Sequence, residues 1–276
     1  MNERAKELLA TRYGTDALPA PAAWTPVIDH LLGHRSVRRH LPDPVSDDQL
    51  AAIVAAAQSA ATSSNLQAWS VIAVRDPDTR AALAVCAGDQ SHVRDAPLVL
   101  VWLADLARLA HVAQSVQRPH AALDYLEMFV IGVVDAALAA QNALAAAESL
   151  GLSGCYIGGL RNQPEKVAEL LGLPPRVFAV FGMTLGIEDP AAPPAAVKPR
   201  LPQQVVLHRE RYLPVAEQQP GIDAYNAAMA RFYAAQNMNV HGTWSVHSAK
   251  RIAGPETLSG RDRLAKALHN LGFALK

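Results

Sequence analysis

Residues 128–147 read Met128-Phe-Val-Ile-Gly-Val-Val-Asp-Ala-Ala-Leu-Ala-Ala-Gln-Asn-Ala-Leu-Ala-Ala-Ala147, and this apolar run decides the fold. It predicts a helix from about Ala121 to Leu150, which is long enough to span a bilayer, so a membrane segment is one alternative. Against that alternative, Asp135 lies inside the run, and an ionised carboxylate at mid-membrane costs about 3 kcal/mol. The run also has no second apolar span and no basic flank beside it. We therefore interpret it as a helix covered by protein on most faces, partly by a second subunit.

Length and composition exclude several classes of protein. The chain has 276 residues, 50% of them hydrophobic, and its 25 basic residues balance 25 acidic ones, which gives no footprint for nucleic acid. Two cysteines, Cys86 and Cys155, are too few for a disulfide framework or a Cys-based metal site. The histidines show no ligand spacing such as His-x-x-x-His, so no metal is predicted. The charged N-terminus precedes no uninterrupted apolar run, which favours a cytoplasmic protein.

Strands and helices alternate along the chain and predict one mixed α and β domain. Continuous apolar runs predict buried strands at 69–74, 97–103 and 176–186. Ser46-Asp-Asp-Gln49 has the form of a capping box and predicts a helix to about Ser59. Residues 88–93 and 151–159 are predicted as loops. Further helices are predicted in residues 1–17 (followed by a Pro/Ala-rich irregular piece at 18–23), 24–32, 76–85, 163–172, 222–236 and 257–271.

Three stretches suit a ligand, and each has an ordinary structural alternative. The arginines of residues 35–39, together with Ser36, can grip a phosphate, or they form a solvated basic turn. The polar stretch at 62–67 suits hydrogen bonding to a heterocycle or a phosphate, and it equally suits a helix-to-strand turn. Glycines in residues 156–159 let backbone N–H groups approach a flat ligand, or they form a tight bend. Asp135 is predicted to be hydrogen-bonded in the core, and Cys155 to be a packed thiol.

The order and separation of seven motifs resemble the nitroreductase family, and within it the oxygen-insensitive NADPH nitroreductase and flavin reductase P group. The motifs are GHRSVR at 33–38, TSSNLQ at 62–67, DQSHV at 89–93, GVVDAA at 132–137, AQNALAAAESLG at 140–151, YIGGLRN at 156–162 and KPRLP at 198–202. The resemblance implies an α+β fold of three α/β/α layers, with a central mixed, mainly antiparallel sheet around a long core helix. It further implies a homodimer with active sites at the subunit interface. Residues 1–25 would be an N-terminal extension, and residues 26–276 the FMN-dependent nitroreductase-like domain.

The resemblance also implies a site for tightly bound FMN. The phosphate and ribityl side would be lined by His34, Arg35, Ser36 and Arg38. Additional positive charge toward the same phosphate dianion would come from Lys198 and Arg200. Hydrogen bonds to FMN, some from the partner chain, would come from Thr62, Ser63, Ser64 and Gln90. Along the isoalloxazine ring, with backbone groups near its reacting nitrogen, would lie Tyr156, Ile157, Gly158 and Gly159.

The implied chemistry is a ping-pong cycle in which FMN takes a hydride from NADPH or NADH and delivers two electrons to a small-molecule acceptor, a nitroaromatic, a quinone or a flavin. It needs no catalytic side chain, no metal and no membrane. One stretch departs from the NADPH-using members of the family, which carry an arginine there. Residues 237–245 read NMNVHGTWS and contain no arginine, so the 2′-phosphate of NADPH loses its usual partner. His241 or Arg231 are alternative partners for it. We therefore expect NADH to be usable. The departure also leaves open a flavin-binding sensor or carrier, and a structural oligomer without cofactor is a third alternative.

Overall fold

The sheet at the centre of the fold has four strands in the part of the chain that the computed structural model describes, residues 3–15 and 21–276. The strands are β1 (Trp69–Val74), β2 (Leu98–Asp105), β3 (Ser153–Ile157) and β4 (Val177–Gly186), in the spatial order β1-β2-β4-β3. All three pairings are antiparallel. An isolated parallel bridge joins Ser36 to Gly154 at the β3 edge. The predicted mainly antiparallel sheet is confirmed.

The described residues also form a series of α-helices. They are α1 (Glu3–Tyr13), α2 (Pro26–Leu32), α3 (Asp47–Gln58), α4 (Pro77–Cys86), α5 (Ser91–Asp95), α6 (Ala107–Ser115), α7 (Leu126–Ser149), α8 (Pro164–Leu170), α9 (Gln203–Val206), α10 (Gln219–Ala235), α11 (Trp244–Arg251) and α12 (Leu264–Asn270). The capping box that opens α3 is confirmed, since Gln49 N donates to Ser46 Oγ (3.1 Å) and Ser46 N to Gln49 Oε1 (3.0 Å). Part of the predicted irregular Pro/Ala piece, residues 18–20, lies outside the described residues.

Helix α7 packs across the sheet and forms the long core helix that the sequence predicts. It is long and apolar enough to cross a membrane, yet one face is buried on the sheet by small residues such as Gly132, Ala136 and Ala143. A Cβ at Gly132 would lie 3.0 Å from Ala104 Cβ and 3.2 Å from the Ala68 carbonyl oxygen. Glycine therefore lets α7 approach the start of β1 and the end of β2.

The opposite face of α7 is less covered than predicted. A stripe at four-residue spacing keeps 43–51% of its surface exposed in the single chain and consists of Leu126, Val130, Val134 and Leu138. The helix also begins five residues later than predicted, because residues 121–124 form a 3-10 turn and Tyr125 is extended. Asp124 is held there by Arg176 (2.8 Å) and Lys276 (3.0 Å).

Two hydrophobic layers, one on each face of the sheet, complete the α/β/α sandwich. One contains Ile53 and Ala57 of α3 with the buried side of α7 and the strand residues Leu100, Trp102 and Met183. The other contains Leu83 of α4 and Val167 of α8 with residues of β2, β3 and β4. Both cysteines are buried in this second layer, Cys86 on α4 and Cys155 on β3. The predicted packed thiol at Cys155 is confirmed.

Several predicted boundaries are wrong. Residues 153–157, predicted within a loop, form the edge strand β3, and residues 91–95 form α5. The predicted terminal helix at 257–271 is interrupted by 3-10 turns at 255–258 and 261–263, with Gly260 between them at φ 84°, so that only α12 is α-helical. Helix α11 was not predicted. Its N-cap is Thr243, whose side chain accepts from Val246 N.

The chain divides into two compact units, which are described separately. Unit 1 comprises Met1–Arg35 and Pro194–Thr257, and unit 2 comprises Ser36–Pro193 and Leu258–Lys276. Unit 2 holds the sheet. Unit 1 has its own apolar cluster around Tyr225, Met229 and Tyr233 of α10. The predicted boundary between residues 25 and 26 concerns a different division and stays a prediction.

Candidate functional site

An extended segment runs beside the β3 edge of unit 2 and presents two of the predicted phosphate ligands. Val37 N donates to the Gly154 carbonyl oxygen (3.0 Å), and the Val37 side chain is buried. Because side chains of an extended segment alternate, Ser36 and Arg38 point away from the core, and both are exposed. The segment therefore offers a hydroxyl and a guanidinium on the same side.

The turn that follows β3 is packed against Gln90. Residues 158–162 form a 3-10 turn. A Cβ at Gly159 would lie 2.5 Å from the Ala87 carbonyl oxygen and 2.7 Å from Gln90 Nε2, and Gln90 Nε2 donates to that same carbonyl (2.7 Å). Only glycine fits at residue 159, and its absence of a side chain lets the turn pack directly against Gln90.

The side chains of Tyr156 and Ile157 are committed to the two faces of the sheet. The Tyr156 ring stands edge-on to Phe181 (centroids 5.2 Å apart), and its hydroxyl donates to Gln141 Oε1 (3.4 Å). Burial and, secondarily, the nearby Glu148 carboxylate raise the pKa of the Tyr156 phenol, which stays protonated. Ile157 is buried in the layer of α4 and α8. What remains for a ligand at this turn is the backbone of Gly158 and Gly159.

A partly buried imidazole, His92, lies near Arg38, and a second one, His40, lies near His92. Burial lowers the pKa of His92, and the positive charge of Arg38 lowers it further, against a smaller opposing effect of Asp95. Burial likewise lowers the pKa of His40, with His92 contributing in the same direction, while the Ser153 backbone and Glu188 oppose it. Both imidazoles are therefore more easily deprotonated than a free histidine, mainly because they are partly buried.

Two partly buried arginines, Arg161 and Arg261, lie close together beside the glycine turn, and the sequence does not predict the pair. The Arg161 guanidinium donates to the Val180 carbonyl, and its Nη2 lies 3.2 Å from where a Gly158 Cβ would be. Burial lowers the pKa of Arg161, and the charge of Arg261 lowers it further. These residues are 100 positions apart, so only the tertiary fold reveals the pair; Arg161 itself stands inside the YIGGLRN motif.

The 62–68 loop is fixed by one buried carboxylate. Asp135 of α7, 1% exposed, accepts from Thr62 Oγ1 (2.6 Å), Ser63 N (3.2 Å) and Ala68 N (3.0 Å). Thr62 Oγ1 in turn accepts from Gln67 N (2.9 Å), so the Thr62 hydroxyl has its proton and one lone pair in use within the chain. Ser63 and Ser64 remain exposed. Asp135 is hydrogen-bonded in the core, as predicted.

This loop lies at the other edge of the sheet from Tyr156–Gly159. It leads into β1, whereas the glycine turn follows β3, and β2 and β4 lie between them. Three strand spacings of about 4.8 Å separate the two edges by about 14 Å. Within unit 2, the structure therefore brings together Ser36, Arg38, Gln90 and the glycine turn, but not Thr62, Ser63 and Ser64.

The remaining predicted phosphate ligands lie in unit 1. Lys198 Nζ is 5.9 Å from the centroid of the Phe232 ring, and Arg200 Nη1 donates to the Lys198 carbonyl (3.1 Å). His34 and Arg35 follow α2. The backbones of these segments are tied together by Arg12 of α1, whose guanidinium donates to the carbonyls of Leu32 (2.6 Å), His34 (2.7 Å) and Lys198 (3.0 Å).

The sequence motifs and this arrangement match a known family. The nitroreductase family profile covers residues 31–187, and the profile of that family's C-terminal domain covers residues 198–276. The chain belongs to the nitroreductase family. It is 40% identical, over 91% of its length and 100% of the relative's, to the oxygen-insensitive NADPH nitroreductase of Salmonella typhimurium.

Solved structures of family members show the same fold. The chain is similar to NfrA1 of B. megaterium, with 38% identity, a TM-score of 0.83, and coverage of 91% of this chain and 100% of that one. It is also similar to the NADPH:FMN oxidoreductase of Vibrio harveyi, solved in complex with NAD⁺, with 37% identity, a TM-score of 0.78, and coverage of 91% and 100%. The predicted family and the nitroreductase fold are confirmed.

Proposed function

We propose that this nitroreductase-family protein is an FMN-dependent NAD(P)H oxidoreductase that passes two electrons to a nitroaromatic, quinone or flavin acceptor. Besides family membership, one observation carries the proposal: the β3 edge joins an exposed hydroxyl and guanidinium, Ser36 and Arg38, to a glycine turn that Gln90 closes. The first pair suits a phosphate, and the second suits a flat ring that must approach backbone N–H groups.

The residues of the chain fit FMN as follows. Arg38 and Ser36, with His34, Arg35, Lys198 and Arg200, would hold the phosphate, because charge-assisted hydrogen bonds to a dianion are the strong ones. Gln90, Ser63 and Ser64 would hydrogen-bond the flavin, and Gly158 and Gly159 would let the ring approach the backbone. Bound FMN supplies the hydride acceptance from nicotinamide and the delivery of two electrons. The chain itself binds, orients and excludes water, and we assign no catalytic side chain.

The exposed stripe of α7 supports a homodimer with sites at the interface. Four large apolar side chains at one helix face, nearly half exposed, are the kind of patch that a second subunit covers. A dimer would also let the 62–68 loop of one chain complete the site at the β3 edge of the other. We expect the protein to be dimeric and Val134→Lys to be monomeric with little flavin, as measured by analytical ultracentrifugation and absorbance.

Val112→Lys is the matched control for the dimer, because Val112 is equally exposed but lies on α6. It should leave both the dimer and the flavin unchanged. A parent protein that is monomeric and fully loaded with FMN would rule out interface sites.

The nicotinamide is NADPH or NADH, and residues 237–245 favour use of both. The stretch lacks arginine, and the Arg231 guanidinium already donates to the Gly14 carbonyl (2.8 Å), so the 2′-phosphate has few partners there. His241, which is exposed, is the remaining alternative. Because the 2′-phosphate has few partners, we expect the kcat/KM values for NADPH and NADH to agree within about tenfold. A tenfold ratio corresponds to a difference of about 1.4 kcal/mol in transition-state binding. A strong preference for NADPH would contradict this.

A visible absorption spectrum, recorded before and after adding each reduced nicotinamide without oxygen, tests the whole proposal. A yellow protein whose flavin bleaches within seconds supports the enzyme. A yellow protein that does not bleach supports the second candidate, a flavin-binding sensor or carrier, which the missing arginine motivates. A colourless protein that takes up no FMN supports a structural oligomer. We further propose a cytoplasmic location and treat residues 1–25 as an extension of the FMN-binding domain.

A further inference from the structure

The N-terminal helix α1 stands outside the family profile, which begins at residue 31, yet it is not an independent appendage. Arg12, near its C-terminal end, is only 6% exposed. Its guanidinium donates to three backbone carbonyls, those of Leu32, His34 and Lys198, over 2.6–3.0 Å. The Arg12 carbonyl in return accepts from Arg200 N (2.9 Å).

These contacts fall on the two segments to which the proposed function gives the FMN phosphate. The first segment follows α2 and carries the predicted phosphate ligands His34 and Arg35. The second carries Lys198 and Arg200. The two segments are 164 residues apart in sequence (198 minus 34), so their spacing depends on tertiary contacts. A planar guanidinium with several N–H donors in a rigid fork fixes the relative positions of the carbonyls it bridges.

Further contacts hold α1 in the same place. Gln203 Nε2 donates to the Tyr13 hydroxyl (3.2 Å), and Arg231 Nη2 donates to the Gly14 carbonyl (2.8 Å). A Cβ at Gly14 would lie 2.9 Å from Ala228 Cβ and 3.6 Å from Pro199 Cγ. The end of α1 therefore packs on the backbone around Pro199 rather than on a remote surface.

We propose that Arg12 is a positioning residue, which holds the His34 and Lys198 segments at the spacing that the FMN phosphate requires. The inference rests on the proposed function and gives residues 1–15 a role in cofactor affinity. Arg12 also adds a buried positive charge to segments that already carry cations, so an anion bound between them would relieve their repulsion.

The test compares FMN with riboflavin, which lacks the phosphate, in the full-length apo protein by fluorescence titration. Arg12→Gln removes the fork and the charge, and we expect it to raise the Kd for FMN at least tenfold while changing that for riboflavin less than threefold. Arg12→Lys keeps the charge but replaces the rigid planar fork by donors on a single nitrogen, so it should fall between Arg12→Gln and the parent. A merely structural role would weaken both ligands alike.

Arg176→Gln is the matched control, since Arg176 ties distant segments of unit 2 through Asp124 (2.8 Å). It should keep the parent's ratio of riboflavin Kd to FMN Kd. An unchanged ratio in Arg12→Gln, or in Arg12→Lys if Arg12→Gln does not fold, overturns the inference. A parent without preference for FMN overturns the proposed phosphate site instead, which keeps the two failures distinguishable.

A double-mutant cycle with Lys198→Ala decides the matter where riboflavin binds too weakly to measure. If Arg12 acts by placing Lys198, the two substitutions together raise the FMN Kd by much less than the product of their separate effects. Independent, multiplicative effects would contradict the inference.

Discussion

At the β1 edge of the sheet, Asp135 satisfies three donors of the 62–68 loop, whereas the β3 edge gathers Arg38, His92 and Arg161 among neighbours of the same sign. At the β1 edge the three loop donors are satisfied within the chain, because all of them donate to the buried Asp135 carboxylate. At the second edge, burial lowers the pKa of His92 and of Arg161, and the charges of Arg38 and Arg261 respectively lower them further. The contrast indicates that the β1 edge is fixed by internal hydrogen bonds, and it supports our proposal that the β3 edge binds an anion.

The largest effect on stability is expected at the β1 edge. Asp135→Asn keeps the side-chain shape but replaces one acceptor oxygen by a donor, which leaves a buried O–H or N–H of the loop without a partner. We expect the free energy of unfolding of the flavin-free protein, measured by urea denaturation, to fall by about 3 kcal/mol.

Asp105→Asn is the control for this prediction. Asp105 accepts from Ser70 Oγ (2.6 Å) and pairs with Arg108, but the Arg108 side chain is 48% exposed, so water replaces much of what is lost. Equal losses in the two variants would mean that the 62–68 loop has no special dependence on its buried carboxylate.

The second effect is expected at the β3 edge, on affinity rather than on stability. Arg38→Ala removes one charge-assisted contact to the phosphate and should weaken FMN binding by about 2 kcal/mol, or about 30-fold. Because Arg38 is exposed, the free energy of unfolding without flavin should change by less than about 0.5 kcal/mol. Arg39→Ala, the exposed neighbour, should matter less. Flavin occupancy of Arg38→Ala equal to the parent's would remove Arg38 from the site.

The smallest effect is a pH dependence at the same edge. The pKa values of His40 and His92 are lowered in the folded protein, mainly by burial, from the usual 6.5. The unfolded chain then binds more protons, so stability is lost as pH falls below about 6.5 and is unaffected by these groups above it. We expect the unfolding free energy to fall between pH 7 and pH 5, and His40→Gln to fall less steeply. A parent that gains stability on acidification would contradict this sign.

Regular elements with a strong local pattern could be predicted from the sequence, and the edge strand could not. The strands β1, β2 and β4 are continuous apolar runs, and α3 begins at a capping box. In contrast, Ser153–Ile157 contains Gly154, and a glycine is typical of a loop. Here the glycine is required by close packing within the sheet, because a Cβ at Gly154 would lie 2.7 Å from the Thr184 carbonyl oxygen. The start of α7 was misplaced for a similar reason, since contacts of Asp124 with distant Arg176 and Lys276 are invisible locally.

The site residues divide in the same way. The motifs at 33–38, 89–93 and 156–162 indicated the β3 edge, where the structure does bring Ser36, Arg38, Gln90 and the glycine turn together. Thr62 was predicted as a flavin ligand, and the sequence gives no sign that Asp135 uses its hydroxyl proton. Arg12 and Arg261 were missed because their partners lie far along the chain. The FMN contacts themselves stay predictions.

The two thiols offer a kinetic view of the same architecture. Cys86 and Cys155 are buried in one layer, and burial raises the pKa of the Cys86 thiol, so both are poor targets for reagents that need an accessible thiolate. Cys155 belongs to the edge strand β3, which pairs with β4 on one side and with only a single bridge on the other, whereas Cys86 lies at the end of helix α4. The rate at which Cys155 is modified would therefore report detachment of the edge strand β3 from the native protein. The rate at which Cys86 is modified would report local opening of the helical layer.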